Sequence, residues 1–195
     1  TLGMEKMREM ILPVLNEILP NRGVFERSDA SSRKLEGLTE KVGWIHKNCG
    51  DEVVIHERDV EIGICFGEGH KTGWYLDQRE NRAILRECAG KGEALDVFCY
   101  EGGFGLQLAK AGMNVLGIDS QKDVLQRAEE HRGRNHISEE HLRFETANAF
   151  DLLKDLDKSG RKFDLIVLDP PSFVKQKAAL GGALSGYKEL LLRSF

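Results

Sequence analysis

The chain has 195 residues, 41% of them hydrophobic and 31% charged, with a formal net charge of -4. That length allows one good core or two small ones, and the composition is ordinary for a soluble globular protein. The charge excludes a protein that holds nucleic acid by bulk electrostatics alone. No stretch approaches a membrane span, and no N-terminal apolar run resembles a signal peptide. Cys49, Cys65, Cys88 and Cys99 show no CxxC spacing, so neither a zinc site nor a disulfide framework is read. A reducing cytoplasm fits.

Met4 to Leu19 reads as a helix, with Met7, Met10, Ile11, Val14, Leu15 and Ile18 at helical spacing. Pro13 interrupts it, which predicts a kink or two short helices. The methionines read as packing. Phe25 to Leu38 reads as a polar connector in which Ser28 and Asp29 can cap a short helix. Arg27 and Arg33 read as part of a solvated loop rather than as phosphate contacts. From Val42 to Phe66 apolar and polar positions alternate, with turns at Asn48–Asp51 and Glu57–Asp59. This predicts a small antiparallel meander that carries His46 and His56 on half-buried strands. Two histidines without a third ligand do not make a metal site.

Gly67 to Arg82 gathers His70, Lys71, Asp77, Gln78, Arg79, Asn81 and Arg82 around Trp74, Tyr75 and Leu76. Such a loop either holds a charged, polar ligand with aromatics stacked on a ring, or forms a hinge tied by ion pairs. Arg79 to Ala89 then reads as a helix ended by Gly90, Lys91 and Gly92.

The second half alternates strand and helix. Ala94 to Cys99 reads as a buried strand, followed by a turn with Gly102, Gly103 and Gly105 and a helix from Phe104 to Ala111. Asn114–Ile118, Leu142–Thr146 and Phe163–Leu168 read as three further strands, with helices at Gln121–Asn135 and Leu152–Leu156 between them. That alternation predicts a parallel sheet with right-handed crossovers and a ligand site beyond the carboxyl ends of its strands. In chain order those ends carry Tyr100 to Gly105, Asp119, Asn148 and Asp169. Asp119 can accept two hydrogen bonds from ribose hydroxyls, and Asn148 can pair with an adenine edge.

A dinucleotide wants GxGxxG to seat its pyrophosphate on a helix N-terminus. This turn reads EGGFG, and Glu101 would repel a phosphate. S-adenosylmethionine offers an adenosine, a sulfonium and an amine without a phosphate. Asp96 can attract the amine, and Glu101 is tolerable beside a cation. Asp169-Pro170-Pro171 forms a rigid turn with no amide donors at its prolines. Ser172 stands between the prolines and Phe173, which departs from the amine-methylating pattern of an aromatic directly after the prolines.

Three segments in order, GHKTGWYLDQRENR, LDVFCYEGGFG and LIVLDPPSF, make the chain resemble the bacterial 23S ribosomal RNA cytosine-5 methyltransferase family from about Phe25 to Phe173. The resemblance implies an S-adenosylmethionine-dependent, Rossmann-like class I sheet of the α/β class. About four parallel strands are readable, preceded by a small α+β segment with an antiparallel β meander. It implies cofactor contacts at Asp96, Phe98, Tyr100, Gly102, Gly103, Asp119, Asn148 and Asp169, with Gln78 and Arg79 near the cofactor. Asp169 would also position the cytosine. Glu101 stands where similar proteins often have Thr, and Asn148 where many have Asp. Cytosine C5 becomes nucleophilic only after a thiolate adds to C6, and the resemblance places that cysteine beyond Phe195. Ser172 cannot replace a thiolate, and Cys99 reads as packing.

The chain stops inside a helical pattern, which predicts truncation at that end, a fragment inactive without the missing part, and the fourth strand left as an apolar edge. The family's N-terminal RNA-binding domain of the PUA type is not read in it. The expected organisation is 1–66 as a helix and small β-rich subdomain, 67–91 as a linker and helix, and 92–195 as the cofactor-binding domain. The expected partner is 23S ribosomal RNA, with no metal and no membrane, in the cytoplasm. Guanine-N7 methylation of ribosomal RNA and a non-catalytic cofactor-binding RNA-docking module are the alternatives.

Overall fold

The computed structural model describes residues 2–20, 22–67, 73–174 and 180–194. His70 and Lys71 of the polar loop lie outside these. Contacts divide the chain into two compact units, Thr1–Val54 with Gly63–Tyr75, and Ile55–Ile62 with Leu76–Phe195. The boundaries expected at 66 and 91 therefore shift. The turn at 55–62 and the helix at 79–88 join the second unit, because Arg82 donates to Glu57 at 2.7 and 2.5 Å. In the same cluster the Gln107 amide donates to the Glu57 carbonyl at 3.0 Å, and Asn135 accepts from the Glu61 amide at 2.8 Å.

In the first unit, α1 (Leu2–Ile18) runs as one continuous helix through Pro13. None of its residues is buried, and Met4, Met7, Met10, Val14 and Ile18 are exposed. The methionines are thus not packing residues among the described residues. What ties α1 to its unit is charge. Glu5 accepts from Arg33 and Lys41, and Arg8 pairs with Glu26 at 3.1 Å. Lys41 and then Arg33 hold the Glu5 carboxyl down to about 2.

The connector expected at Phe25–Leu38 begins instead as a strand. β1 (Val24–Ser28) pairs antiparallel with β2 (Lys41–His46). Ser28 is therefore a strand residue and Asp29 accepts from Arg27 at 3.0 Å, so neither caps α2 (Ser32–Leu35), whose N-cap is Ser31. Arg33 is buried rather than solvated, donating to the Thr39 carbonyl at 2.9 Å. β3 (Glu52–Glu57) and β4 (Val60–Cys65) form a separate two-stranded sheet. The expected meander is thus two pairs, because β1 supplies the partner of β2. Phe25, Trp44 and Phe66 close the small core, with ring centroids 4.8–5.3 Å apart. His46 and His56 are exposed, not half-buried.

In the second unit, a 3₁₀ turn (Leu76–Gln78) leads into α3 (Arg79–Cys88). The sheet comprises β5 (Glu93–Val97), β6 (Asn114–Asp119), β7 (Leu142–Thr146) and β8 (Leu165–Leu168) in the order β7-β6-β5-β8, all parallel. The connecting helices are α4 (Gly103–Lys110), α5 (Lys122–Arg134) and α6 (Ala149–Ser159), with α7 (Leu180–Ser194) following β8. Period-2 alternation sends Leu95, Val97, Leu116 and Ile118 to one face, where they meet Leu153 of α6 and Leu190 of α7. The opposite face carries Gly117, where a Cβ would fall 2.6 Å from the Phe144 ring. The helix expected at Leu152–Leu156 is longer, because Asn148 caps it and Gly160, at φ 69°, closes it. β8 stands at an end of the sheet as expected, and Phe163, Ile166 and Leu168 pack against the core that α6 and α7 build.

Candidate cofactor site at the strand tips

Chain order in the sheet reverses between β5 and β8, so the crevice of a doubly wound fold opens beyond their carboxyl ends. The turn after β5 lines it. Phe98 and Tyr100 hold φ of 64° and 51°, and Gly102 holds 82°. Left-handed backbone at non-glycine residues costs roughly 1–2 kcal/mol each and persists only where the surroundings enforce it. Here the enforcement is visible. Cys99 donates its amide to the Ile118 carbonyl at 2.9 Å, and Gly102 to the Cys99 carbonyl at 2.8 Å. Gly102 is also pressed on Phe144, where a Cβ would lie 2.6 Å from the ring. Gly103 opens α4.

Asp96 is 1% exposed on β5. Its Oδ2 accepts from the Gly105 amide at 2.9 Å in the first turn of α4. Its Oδ1 is buried without a hydrogen bond. Burial pushes the carboxyl from 3.8 up to about 7, against the pull of the Gly105 amide, and the charges of Asp169 and Asp119 push the same way. Asp119, at the tip of β6, accepts from the Tyr100 amide at 3.1 Å and from the Gln121 amide at 3.0 Å. Each oxygen carries one bond and keeps room for another. Asp169 follows β8. Burial raises its carboxyl, the charge of Asp77 adds to this, and Arg82 opposes it. Gln78 donates to Asp169 at 3.3 Å and accepts from Asn81 at 2.7 Å. The tips of β5, β6 and β8 thus bring three electrostatically coupled carboxylates together, a setting for a cation.

Other expected residues fare differently. Asn148 is the N-cap of α6, its Oδ1 accepting from the Phe150 amide at 2.9 Å, so an adenine edge would meet its amide group. The Phe98 ring packs at 6.4 Å from Phe173. Arg79 stands exposed at the start of α3. Trp74 is 4% exposed and is a packing residue rather than an open stacking platform. Glu101 is 1% exposed and sits 3.4 Å from Arg127 of α5. Its charge is therefore committed inside the fold, and the expectation that it screens phosphate from the turn fails. Cys99 is buried, and burial raises its thiol well above 9.0, so it is held as a thiol and packs. Sequence reasoning missed Tyr187, whose hydroxyl donates to the Pro171 carbonyl at 3.3 Å and accepts from the Phe173 amide at 3.4 Å. Nothing in its spacing announces that contact, because α7 reaches the turn only in three dimensions. Among the described residues no group of His, Cys, Asp and Glu could hold a metal ion, and no helix is long and apolar enough to cross a membrane.

Ribosomal RNA large subunit methyltransferase I of Tolumonas auensis is 40% identical over 99% of this chain and 49% of its own length. The protein of the same name from Shewanella frigidimarina is 40% identical over 96% of the chain and 48% of its length. The chain spans about half the length of these curated relatives. The crystal structure of SMU.776 complexed with SAH matches with a TM-score of 0.74 at 23% identity, over 89% of this chain and 44% of that one, which shows the shared fold. A family model described as "Methyltransferase domain" matches residues 90–190, just over half of the chain. With its doubly wound sheet and acid-tipped strands, the chain belongs to that methyltransferase-domain family.

Proposed function

We propose that this chain carries the cofactor-binding part of an S-adenosylmethionine-dependent enzyme that methylates cytosine C5 in 23S ribosomal RNA. The observation that carries the cofactor reading is Asp96. A buried carboxylate with one oxygen on the Gly105 amide and the other unbonded is an acceptor waiting for a donor, and an ammonium group answers it. Asp119 keeps capacity for the ribose hydroxyls. Phe98, Tyr100, Gly102 and Gly103 shape the turn, and Asn148 offers its amide to the adenine. Gln78, at the end of the 3₁₀ turn, and Arg79, at the start of α3, border the site. SAH in the related SMU.776 structure supports the same ligand class. The bound group would supply an electrophilic methyl. The chain's own residues orient the target, with Gln78 steadying Asp169 while the other Asp169 oxygen contacts the cytosine ring.

The large-subunit ribosomal RNA named for the Tolumonas and Shewanella relatives supports the substrate class, and the motif resemblance supports C5 and 23S. C5 chemistry requires a thiolate on C6, which Cys99 does not supply. The test is covalent trapping. The full-length protein incubated with S-adenosylmethionine and a 23S fragment carrying 5-fluorocytosine should form a denaturation-resistant adduct. Methylated guanine with no adduct would replace this reading with N7 methylation. Cofactor binding without turnover on any ribosomal RNA would leave a docking module.

A further inference from the structure

The cofactor turn is braced from behind by α5. Glu101 lies between Tyr100 and Gly102, the left-handed residues at φ 51° and 82°. Its carboxylate Oε1 is 3.4 Å from Arg127 Nε, and its main-chain carbonyl is 3.2 Å from His131 Nδ1. Arg127 and His131 stand one helical turn apart on the same helix, so they reach the same residue. The start of α5 meets the turn a second time. Asp119 accepts the Tyr100 amide with one oxygen and the Gln121 amide with the other. One helix therefore holds the turn at both its acid anchor and its crest.

A buried ion pair is a poor way to stabilise a fold, since an apolar pair of similar volume does as well or better. Glu101 also leaves Oε2 without a hydrogen bond at 1% exposure. What the pair does supply is direction, beside Tyr100 and Gly102, where the backbone of the turn stays left-handed. We propose that Arg127 and His131, acting through Glu101, are positioning residues that fix the turn on which the cofactor rests. This rests on the assignment of the strand tips to S-adenosylmethionine. The brace reaches the turn from α5 and acts on the backbone that carries the cofactor, so its loss acts on cofactor binding and not on the chemical step.

The experiment titrates S-adenosylhomocysteine calorimetrically into the full-length protein as wild type, Arg127→Met, Arg127→Lys and Asp119→Ala, with a melting temperature for each. Steady-state kinetics accompany it. Arg127→Met is expected to weaken binding at least fivefold and to raise KM for S-adenosylmethionine by a similar factor, with kcat within twofold. Arg127→Lys, which keeps the charge, is expected to restore most of the affinity. Should Arg127→Met fail to fold, the double variant Glu101→Gln with Arg127→Met removes both charges and is expected to show the same loss. A lower melting temperature with affinity within twofold of wild type overturns the brace and leaves a structural ion pair. Wild-type affinity in Asp119→Ala overturns the assignment of the strand tips, and the brace with it, so the two failures read differently.

Discussion

Asp96→Asn separates the demands of the fold from those of the site. The wild-type carboxyl is raised from 3.8 to about 7, chiefly by burial. A raised acid binds its proton more tightly in the folded state than in the unfolded one. Between those two values the folded protein holds a proton that the unfolded chain has lost, so stability falls as pH rises. At roughly 1.4 kcal/mol for each pH unit between the two values, the full penalty is about 4 kcal/mol, reached once pH passes 7. About 2 kcal/mol of it accrues between pH 5 and pH 7. Asparagine keeps the oxygen that accepts from Gly105 and never ionises. Urea unfolding of wild type and variant at pH 5, 6, 7 and 8 should show wild-type stability sagging while the variant stays flat in this respect, with the variant the more stable at pH 8. Affinity for S-adenosylmethionine should move the other way. Losing a charge-assisted hydrogen bond of about 1.5–3 kcal/mol weakens binding about 10- to 100-fold. Parallel pH profiles for the two proteins would refute the reasoning, because they would mean that Asp96 is not carrying a displaced proton.

Gly102→Ala puts a methyl 2.6 Å from Phe144 at φ 82°, and the combined backbone and overpacking cost of about 2–4 kcal/mol should appear as a lower thermal midpoint. Arg82→Met strands the buried Glu57 carboxylate and should cost about 3–5 kcal/mol in urea unfolding, most of it recovered when Glu57 is also changed to Met. Asp169→Asn should lower kcat for RNA methylation about 10- to 100-fold while binding of S-adenosylhomocysteine changes less, and Gln78→Ala should show a weaker version of the same split.

The cofactor half of the molecule is legible in the sequence because local signals there agree. β5, β6 and β8 are short, largely apolar runs bounded by turn residues, β7 (LRFET) alternates apolar and polar positions, and the helices between them show 3.6-residue spacing. Alternation of the two fixes a parallel sheet and sends Asp96, Asp119, Asn148 and Asp169 to one end of it. The first unit is less legible. β1 carries Glu26 and Arg27 in a two-stranded ribbon with no deep core to demand alternation, so it reads as loop. The apolar spacing of α1 is genuine, yet periodicity says only that a face exists and not that it is covered.

What the sequence determined by itself is the order of strands and helices in the second unit, the glycine turn and the placing of acids at strand ends, all matters of local geometry and period. Only the tertiary structure decided where charges point. By its neighbours in the chain Glu101 belongs to an open acidic turn, but α5 carries Arg127 to it and buries it. Arg82 belongs to a polar loop by the same criterion, but Glu57, 25 residues earlier, takes it into the interior. A charged side chain is stable either in water or beside an opposite charge. Which of the two it finds depends on partners distant in the chain, and no local pattern encodes that distance.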